Sequence, residues 1–186
     1  MNETINTILS RRSVRAYKQE QIKDEDLQII INAGMFAPSA MNQQSWHFTA
    51  VQNKETLQKI NQATKSILLK SGNKRFEEMA KLESFNAFYN APTLIIISGD
   101  EKAIAPQCDC VLAMENIFLA ASSIGIASCW IHAITHLSST EEGNTLLSEL
   151  GIPKGNKLFA SAAFGYSAAE APASAPRKEN SVTIIR

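Results

Sequence analysis

The chain has few charged residues and no excess of either sign. Asp, Glu, Lys and Arg make up 19% of its 186 residues, and 18 basic side chains balance 18 acidic ones. Proteins that bind nucleic acids or anionic membrane surfaces normally carry a surplus of Lys and Arg, so the composition predicts neither kind of partner. A surface this poor in charge indicates instead that part of it lies against another subunit.

Cysteine is scarce, and its spacing excludes two classes of small protein. The count is odd and no CxxC pair occurs, which excludes a disulfide framework and a zinc ribbon. The three residues are Cys108, Cys110 and Cys129. The three histidines do not fall in an HExxH pattern, so no metal site is predicted.

Several recognisable motifs are absent as well. The sequence contains no GxGxxG dinucleotide fingerprint, no GxxxxGK[ST] phosphate loop and no GxSxG nucleophile elbow. Its first residues show neither the basic nor the apolar region of a secretory signal. The most apolar stretch, 111–134, is interrupted by polar residues and is a poor membrane span. We therefore expect a cytoplasmic protein.

Alternating helical and strand patterns predict a central sheet covered by helices. Helices are predicted over residues 4–9, 24–36, 54–70, 76–88, 108–124 and 141–150. Strands are predicted over 46–51, 93–98, 127–131 and 157–166, with a last β-prone piece at 182–185. The helix at 108–124 is apolar almost all round, which predicts burial on every side and a place at a subunit interface.

Two basic clusters lie at opposite ends of the chain. The first follows the opening helix and includes a serine, so that its members are Arg11, Arg12, Ser13, Arg15 and Lys18. The second is the pair Arg177 and Lys178. The planar guanidinium of Arg donates two parallel hydrogen bonds to phosphate oxygens, so both clusters suit a phosphorylated ligand. A solvated charged face is the alternative.

The segments 37–46 and 128–131 are further candidate sites. Pro38 breaks the preceding helix, and the amides that follow can read the edge of a heterocycle because they both donate and accept hydrogen bonds. An ordinary helix-to-strand loop is the alternative. Cys129 could act as a nucleophile, but only His132 is near in sequence as a base, so a buried structural cysteine is favoured.

In their order and spacing these motifs resemble the nitroreductase family of flavin-dependent oxidoreductases. The resemblance covers nearly the whole chain and rests on Arg-Arg-Ser-Val-Arg-Ala-Tyr at 11–17, Ala-Pro-Ser-Ala-x-Asn-Gln-Gln-x-Trp at 37–46, Ala-Pro at 91–92, Asp109, Gly125 with Ser-Cys-Trp-Ile at 128–131, Phe-Gly-Tyr at 164–166 and Arg-Lys at 177–178. Ser45 stands where the family usually has Pro. The segment 71–90 is shorter than in larger members, so a smaller helical cover over the flavin is expected.

The resemblance implies an α+β fold with three layers, α-β-α, around a mostly antiparallel central sheet. It implies a single FMN-binding domain, residues 1–167, and a C-terminal tail, 168–186, that packs on the partner subunit of an intertwined homodimer. One FMN is then expected at each of two sites between the subunits.

The resemblance also implies a role for each matching residue. Contacts to the FMN phosphate and ribityl chain are implied for Arg11, Arg12 and Ser13, joined by Arg177 or Lys178. Arg15 is expected near flavin N1 and O2, where its charge stabilises the anionic reduced ring. The loop that the partner subunit packs against the ring is implied to consist of Pro38, Ser39, Ala40, Met41 and Asn42, with Gln44 nearby. The strand beside the isoalloxazine edge is implied to be Ser128, Cys129, Trp130 and Ile131.

The implied chemistry belongs to the cofactor. By resemblance, NADH or NADPH gives hydride to flavin N5 and leaves, and the flavin then passes electrons to a nitroaromatic, a quinone or a similar small acceptor in a ping-pong cycle. No catalytic side chain is therefore expected. Two alternatives stay open: a flavin-binding module without turnover, and another flavin chemistry on the same fold, such as dehalogenation or flavin fragmentation.

Overall fold

The computed structural model describes residues 2–186. Its helices are α1 Glu3–Ser10, α2 Asp24–Met35, α3 Lys54–Leu69, α4 Lys74–Lys81, α5 Pro106–Ser123 and α6 Glu141–Glu149. Its strands are β1 Trp46–Val51, β2 Thr93–Asp100, β3 Ala127–Trp130 and β4 Asn156–Gly165, and two short 3-10 segments cover Ala40–Asn42 and His132–Ser139. The predicted mixture of helices and strands is confirmed.

The strands form one antiparallel sheet in the order β1-β2-β4-β3 within residues 2–186. Strand β2 lies inside the sheet, between β1 and β4. Its apolar residues 94–97 are fully buried, because a strand covered on both faces needs no alternation with polar residues. Strand β3 pairs with β4 and lies at one edge of the sheet.

Helices cover both faces of the sheet and make the predicted three layers. Leu94 and Ile96 belong to one core, which they share with residues of α3, α6 and the His132–Ser139 segment. Ile95 and Ile97 belong to a second core, together with residues of α2 and α5. The two cores lie on opposite sides of β2, since successive residues of a strand alternate between its faces.

The helix predicted at 76–88 is too long, because α4 ends at Lys81. The residues that follow form turns instead. The Asn86 side chain accepts hydrogen bonds from the N–H groups of Phe88 and Asn90, each at 3.0 Å. Local side-chain acceptors of this kind compete with helical hydrogen bonding, so the chain leaves the helix before it reaches β2.

The β-prone piece predicted at 182–185 forms no strand in the structure. Val182 is 78% exposed and Ile185 is 93% exposed. A strand is stable only when neighbouring strands satisfy its backbone groups and its apolar face is covered. The tail has left the sheet by this point, since its last backbone hydrogen bond to the domain is from the Ala168 N–H to the Ala16 oxygen within residues 2–186.

Helix α5 is buried on one side only, so the prediction of burial on every side is wrong for the single chain. Cys110, Met114 and Ile117 have no exposed surface, whereas Val111 is 40% and Leu112 46% exposed. The sheet and α2 cover the first side, and no other layer of residues 2–186 covers the second. Neither α5 nor any other helix in this range is long and apolar enough to cross a membrane.

Gly34 allows α2 to approach α5 closely. A Cβ atom at this position would lie 2.8 Å from Cγ1 of Ile117 and 3.0 Å from Cε1 of Phe48. Because Ile117 is fully buried, it cannot move aside without displacing its own neighbours. The packing of α2 on α5 therefore depends on the absence of a side chain at position 34.

We expect Gly34→Ala to lower the free energy of unfolding by up to about 2 kcal/mol. Overpacking a core costs about 1–3 kcal/mol, and the better helix propensity of Ala offsets about 1 kcal/mol of that loss. Chemical denaturation measures the difference. In an Ile117→Ala background the same substitution should be neutral or stabilising, and an equal loss in both backgrounds would contradict the packing argument.

Candidate functional site

The basic segment after α1 runs along the edge of the sheet beside β3. Val14 donates its backbone N–H to the Ser128 oxygen at 3.0 Å, and Ser13 forms a parallel bridge with Ser128. An edge strand presents unpaired backbone groups, and the basic segment pairs with some of them. The fold thereby brings the first basic cluster and the 128–131 segment together.

The two arginines at the start of this segment are held in different ways. The Arg11 guanidinium carbon lies 5.7 Å from the centre of the Phe118 ring, which is a cation–π contact. Arg12 donates from Nη1 to the backbone oxygens of Leu9, at 2.7 Å, and Arg11, at 2.8 Å. Cationic groups stabilise the carbonyl end of a helix, so Arg12 uses one of its nitrogens to cap α1.

A shallow cavity of about 200 Å³ opens beside these arginines. Hydroxyl and guanidinium groups contribute to its wall, from Ser10, Arg11, Arg12, Ser122, Ser128 and Ser167. Such donors match the oxygen atoms of a phosphate group, because charge-assisted hydrogen bonds to phosphate are short and strong.

Arg15 packs on Tyr89, which lies in the turn between α4 and β2. The Arg15 guanidinium carbon is 5.8 Å from the centre of the Tyr89 ring. The pKa of Arg15 is raised above its ordinary value, chiefly by its interaction with the Tyr89 side chain. Arg15 is therefore a fixed positive charge held against an aromatic ring.

Cys129 lies next to this cluster and is only 3% exposed. Burial raises the pKa of its thiol, although Arg15, Ser13 and Arg11 each act in the opposite direction. The Sγ atom donates to the Trp130 backbone oxygen at 3.6 Å. A buried, protonated thiol is a poor nucleophile, so the structure favours the structural role for Cys129.

The 37–46 loop, which follows α2, has an unusual backbone. Met41, Asn42 and Gln44 have φ angles of 51, 55 and 46°, in the left-handed region that costs a non-glycine residue about 1–2 kcal/mol. Met41 is 84% exposed, and Pro38 is exposed as well. Backbone strain of this kind clusters at ligand-binding sites, which makes the loop a candidate binding loop.

Asp109, in the first turn of α5, fixes this loop. Its Oδ1 accepts the Ala40 N–H at 3.0 Å, and within the loop Ser39 Oγ accepts the Gln44 N–H at 3.0 Å. The Asp109 side chain is 2% exposed, and its Oδ2 has no hydrogen-bond partner among residues 2–186. From the sequence, Asp109 was included among the family motifs but was assigned no role, because no local sequence pattern connects it with position 40.

The loop and the basic cluster lie at opposite ends of α5. Asp109 holds the loop near the start of the helix, whereas Ser122, near its end, lines the cavity beside Arg11. An α-helix rises 1.5 Å per residue, so these two anchors are about 20 Å apart. A single chain therefore does not bring the two predicted groups of residues to one point.

The second basic pair lies on the extended tail. The tail passes the arginine-lined cavity at Ala169 and Ala171 and then continues without helix or strand. Arg177 and Lys178 are exposed, and Arg177 Nη1 donates to the Ala175 oxygen at 3.2 Å. In the single chain, Arg177 thus makes a contact within the tail.

A second cavity, about 300 Å³ in volume, opens beside β3. Its wall is largely apolar and aromatic, with contributions from Met79, Leu82, Phe85, Tyr89, Trp130 and His132. Phe85 and Tyr89 were missed by sequence reasoning, because the predicted helix over 76–88 covered position 85 and ended immediately before position 89. The asparagines that flank them were the available signal, since Asn favours turns and left-handed backbone.

The histidines do not assemble a metal site. The rings of His132 and His136 are 5.5 Å apart and meet edge to face. Residues 2–186 contain no group of three or more His, Cys, Asp or Glu side chains that could hold a metal ion. Two imidazoles alone fall short of the three or four protein ligands of a zinc site.

The arrangement of these segments matches a known family along most of the chain. The nitroreductase family model matches residues 8–166. The chain belongs to the nitroreductase family. The matched range contains the 11–17, 37–46 and 128–131 segments and ends immediately before the tail, so the predicted family membership is confirmed.

Individual nitroreductase relatives agree with this assignment. A relative in Archaeoglobus fulgidus, with the provisional name NADH dehydrogenase/NAD(P)H nitroreductase, is 34% identical over an alignment of 171 residues that covers 89% of this chain and 86% of the relative. A crystal structure of a nitroreductase with bound FMN from Bacteroides fragilis is 40% identical over the whole of both chains, with a TM-score of 0.95. A nitroreductase with bound FMN from Desulfitobacterium hafniense is 30% identical over both whole chains, with a TM-score of 0.89. The predicted nitroreductase fold and oxidoreductase class are confirmed.

We expect Cys129 to resist alkylation in the folded protein. Iodoacetamide reacts with the thiolate, and the raised pKa of Cys129 keeps its thiol protonated at pH 8 while burial excludes the reagent. Peptide mass spectrometry after timed labelling should find Cys129 unmodified in buffer and modified in denaturant. Equal labelling rates in the two conditions would instead indicate an accessible thiolate and revive the nucleophile interpretation.

Proposed function

We propose that this nitroreductase is an FMN-dependent oxidoreductase that takes hydride from NADH or NADPH and reduces a small acceptor, such as a nitroaromatic or a quinone, by a ping-pong mechanism. The observation that carries the proposal is the pairing of the Arg11–Arg15 segment with the β3 edge. This pairing places guanidinium groups, hydroxyls and a strand backbone side by side. The FMN bound to the two similar crystal structures supports the same cofactor for this chain.

The residues beside β3 have the chemistry that FMN requires. The phosphate and the start of the ribityl chain would be held at the arginine-lined cavity of about 200 Å³, by Arg11, Arg12 and Ser13. Arg15 would lie near N1 and O2 of the ring, and residues 128–131 would lie along the ring edge. These donors are partly exposed to solvent at the cavity, which leaves them accessible to a ligand.

The protein's own contribution to the reaction is binding, orientation and charge. When bound, FMN would supply the redox chemistry, which is hydride acceptance at N5 and electron transfer to the acceptor. Arg15 would stabilise negative charge on the reduced ring, and the apolar wall around Trp130 would limit access of water. The proposed reaction requires no side chain to act as an acid or a base at carbon.

A second copy of the chain would complete each site. The 38–44 loop is about 20 Å from the arginine-lined cavity of its own chain, so we propose that the partner subunit supplies this loop to the ring. The uncovered face of α5, with Val111 and Leu112, is a suitable dimer surface. The tail, 168–186, would then pack on the partner and bring Arg177 or Lys178 to the phosphate. Domain 1–167 would form the body of each subunit.

We expect Arg11→Ala to weaken FMN binding by about 10- to 150-fold. The substitution removes a charge-assisted hydrogen bond to phosphate, worth about 1.5–3 kcal/mol. Titration of the apoprotein with FMN, followed by visible absorbance or flavin fluorescence, gives the dissociation constant. Arg75→Ala, which removes an exposed arginine on α4, is the matched control and should leave the affinity unchanged. Unchanged affinity in Arg11→Ala would mean that the basic cluster is only a solvated face.

A subunit-mixing experiment tests the shared site. Arg11→Ala removes the phosphate contact, and Asn42→Gly removes a loop side chain while keeping the left-handed backbone of that position. In a heterodimer of the two variants, one site combines the intact Arg11 of one subunit with the intact loop of the other. We therefore expect the mixture to recover tight FMN sites that neither variant has alone.

Three outcomes would contradict these assignments. Recovery of no tight site on mixing, or a monomer by sedimentation at micromolar concentration, would exclude the shared site. Tight FMN binding without NADH or NADPH oxidation, tested against a panel of quinones and nitroaromatics, would favour the flavin-binding module without turnover.

A further inference from the structure

The turn between α4 and β2 presents Tyr89 to Arg15 through a strained backbone. Tyr89 and Asn90 have φ angles of 58 and 55°, so two consecutive non-glycine residues adopt the left-handed conformation. Such a pair is unfavourable unless the surroundings determine it. A strained backbone conformation of this kind indicates a role for the side chain that it orients.

Side-chain amides hold the turn in this conformation. Asn86 Oδ1 accepts hydrogen bonds from the N–H groups of Phe88 and Asn90, each at 3.0 Å. Asn61, on α3, accepts the Ala87 N–H at 2.8 Å and ties the turn to the body of the domain. Hydrogen bonds therefore fix the backbone before and after Tyr89, so its ring has a stable position against which another side chain can pack.

Arg15 is the side chain that rests on this surface. Its guanidinium carbon is 5.8 Å from the centre of the Tyr89 ring, and Arg15 itself is exposed. An exposed arginine with four rotatable side-chain bonds would sample many rotamers without such a contact. The Tyr89 side chain is also the largest cause of the raised pKa of Arg15, which agrees with a close contact between the two groups.

We propose that Tyr89 is a positioning residue that holds the Arg15 guanidinium beside the flavin ring and thereby raises the midpoint potential of the bound cofactor. The inference rests on the proposed function, because it requires FMN beside Arg15. A fixed positive charge stabilises the reduced ring, which carries negative charge, more than the neutral oxidised ring. A mobile Arg15 would spend part of its time in solvent and stabilise the reduced ring less.

Tyr89 also lines the cavity of about 300 Å³ beside β3, together with Phe85 and Trp130. A residue that only shaped this cavity would change the KM of an acceptor and leave the potential of the flavin unchanged. A residue that acts through Arg15 changes the potential even when no acceptor is present. The midpoint potential therefore separates the two roles.

The test compares the FMN-loaded wild type with Tyr89→Ala, Tyr89→Phe, Arg15→Ala and the double variant Tyr89→Ala/Arg15→Ala by anaerobic reductive titration against reference dyes. We expect Tyr89→Ala to lower the preference for the reduced cofactor about tenfold, which is about 30 mV in a two-electron midpoint potential. Tyr89→Phe, which keeps the ring and loses the hydroxyl, should fall between Tyr89→Ala and the wild type. Arg15→Ala should lower the potential at least as far, and the double variant should lower it no further than Arg15→Ala.

The control is Phe76→Ala, which removes an aromatic side chain of α4 that lines neither this cavity nor the arginine-lined one, and which should keep the wild-type potential. The inference is overturned if Tyr89→Ala keeps the wild-type potential, if Arg15→Ala keeps it, or if Tyr89→Ala has the same effect in the Arg15→Ala background. These outcomes are distinct from a failure of the proposed function, in which the wild-type protein binds no FMN and no potential is measurable.

Discussion

Helix α5 carries both halves of the candidate site and fixes the distance between them. The loop is tied to its first turn through Asp109, and the arginine-lined cavity reaches Ser122 near its end. The sheet and α2 pack against one side of the helix along its length, so it cannot bend to bring its ends together without opening a core that is packed to crystal-like density. In the proposed function a second chain would complete each site, and the exposed helix face with Val111 and Leu112 is apolar surface that this chain would cover.

The 37–46 loop and the turn before β2 have strained backbones, and both are held by side-chain acceptors. In the 37–46 loop, left-handed residues such as Met41 and Gln44 are tied down by the Asp109 carboxylate and by Ser39. In the turn before β2, left-handed Tyr89 is held by Asn86. A binding site keeps its precision when the supporting contacts, rather than the ligand, fix its geometry. The acceptors in this protein lie outside the basic motif, so contacts within the domain fix the shape of these two surfaces.

The parts of the fold that the sequence predicts are those decided by local pattern. The apolar run of β2, the loop boundary at Pro38 and the apolar character of α5 follow from periodicity and backbone chemistry. The turn around Asn86 was missed, because two amide hydrogen bonds outweighed a weak helical pattern, and the pairing of Arg15 with Tyr89 joins residues 74 positions apart. Burial of α5 on every side was wrong because an apolar surface in a sequence does not say whether its own chain or another one covers it. Family resemblance supplied the site residues, whereas the contact from Asp109 to the loop required the folded chain.

The electrostatics of the site depend on the partners that the arginines have. Arg11 stacks on Phe118 and Arg15 stacks on Tyr89, so aromatic rings orient both guanidinium groups. A carboxylate in the same place would also orient them, but it would cancel most of their field at the ligand. A ring gives a contact of moderate strength and leaves the charge available to a phosphate or to an electron-rich flavin. Stacking on aromatic residues therefore fixes the orientation of Arg11 and Arg15 and leaves their positive charge available to an anionic ligand, although the net charge of the chain is zero.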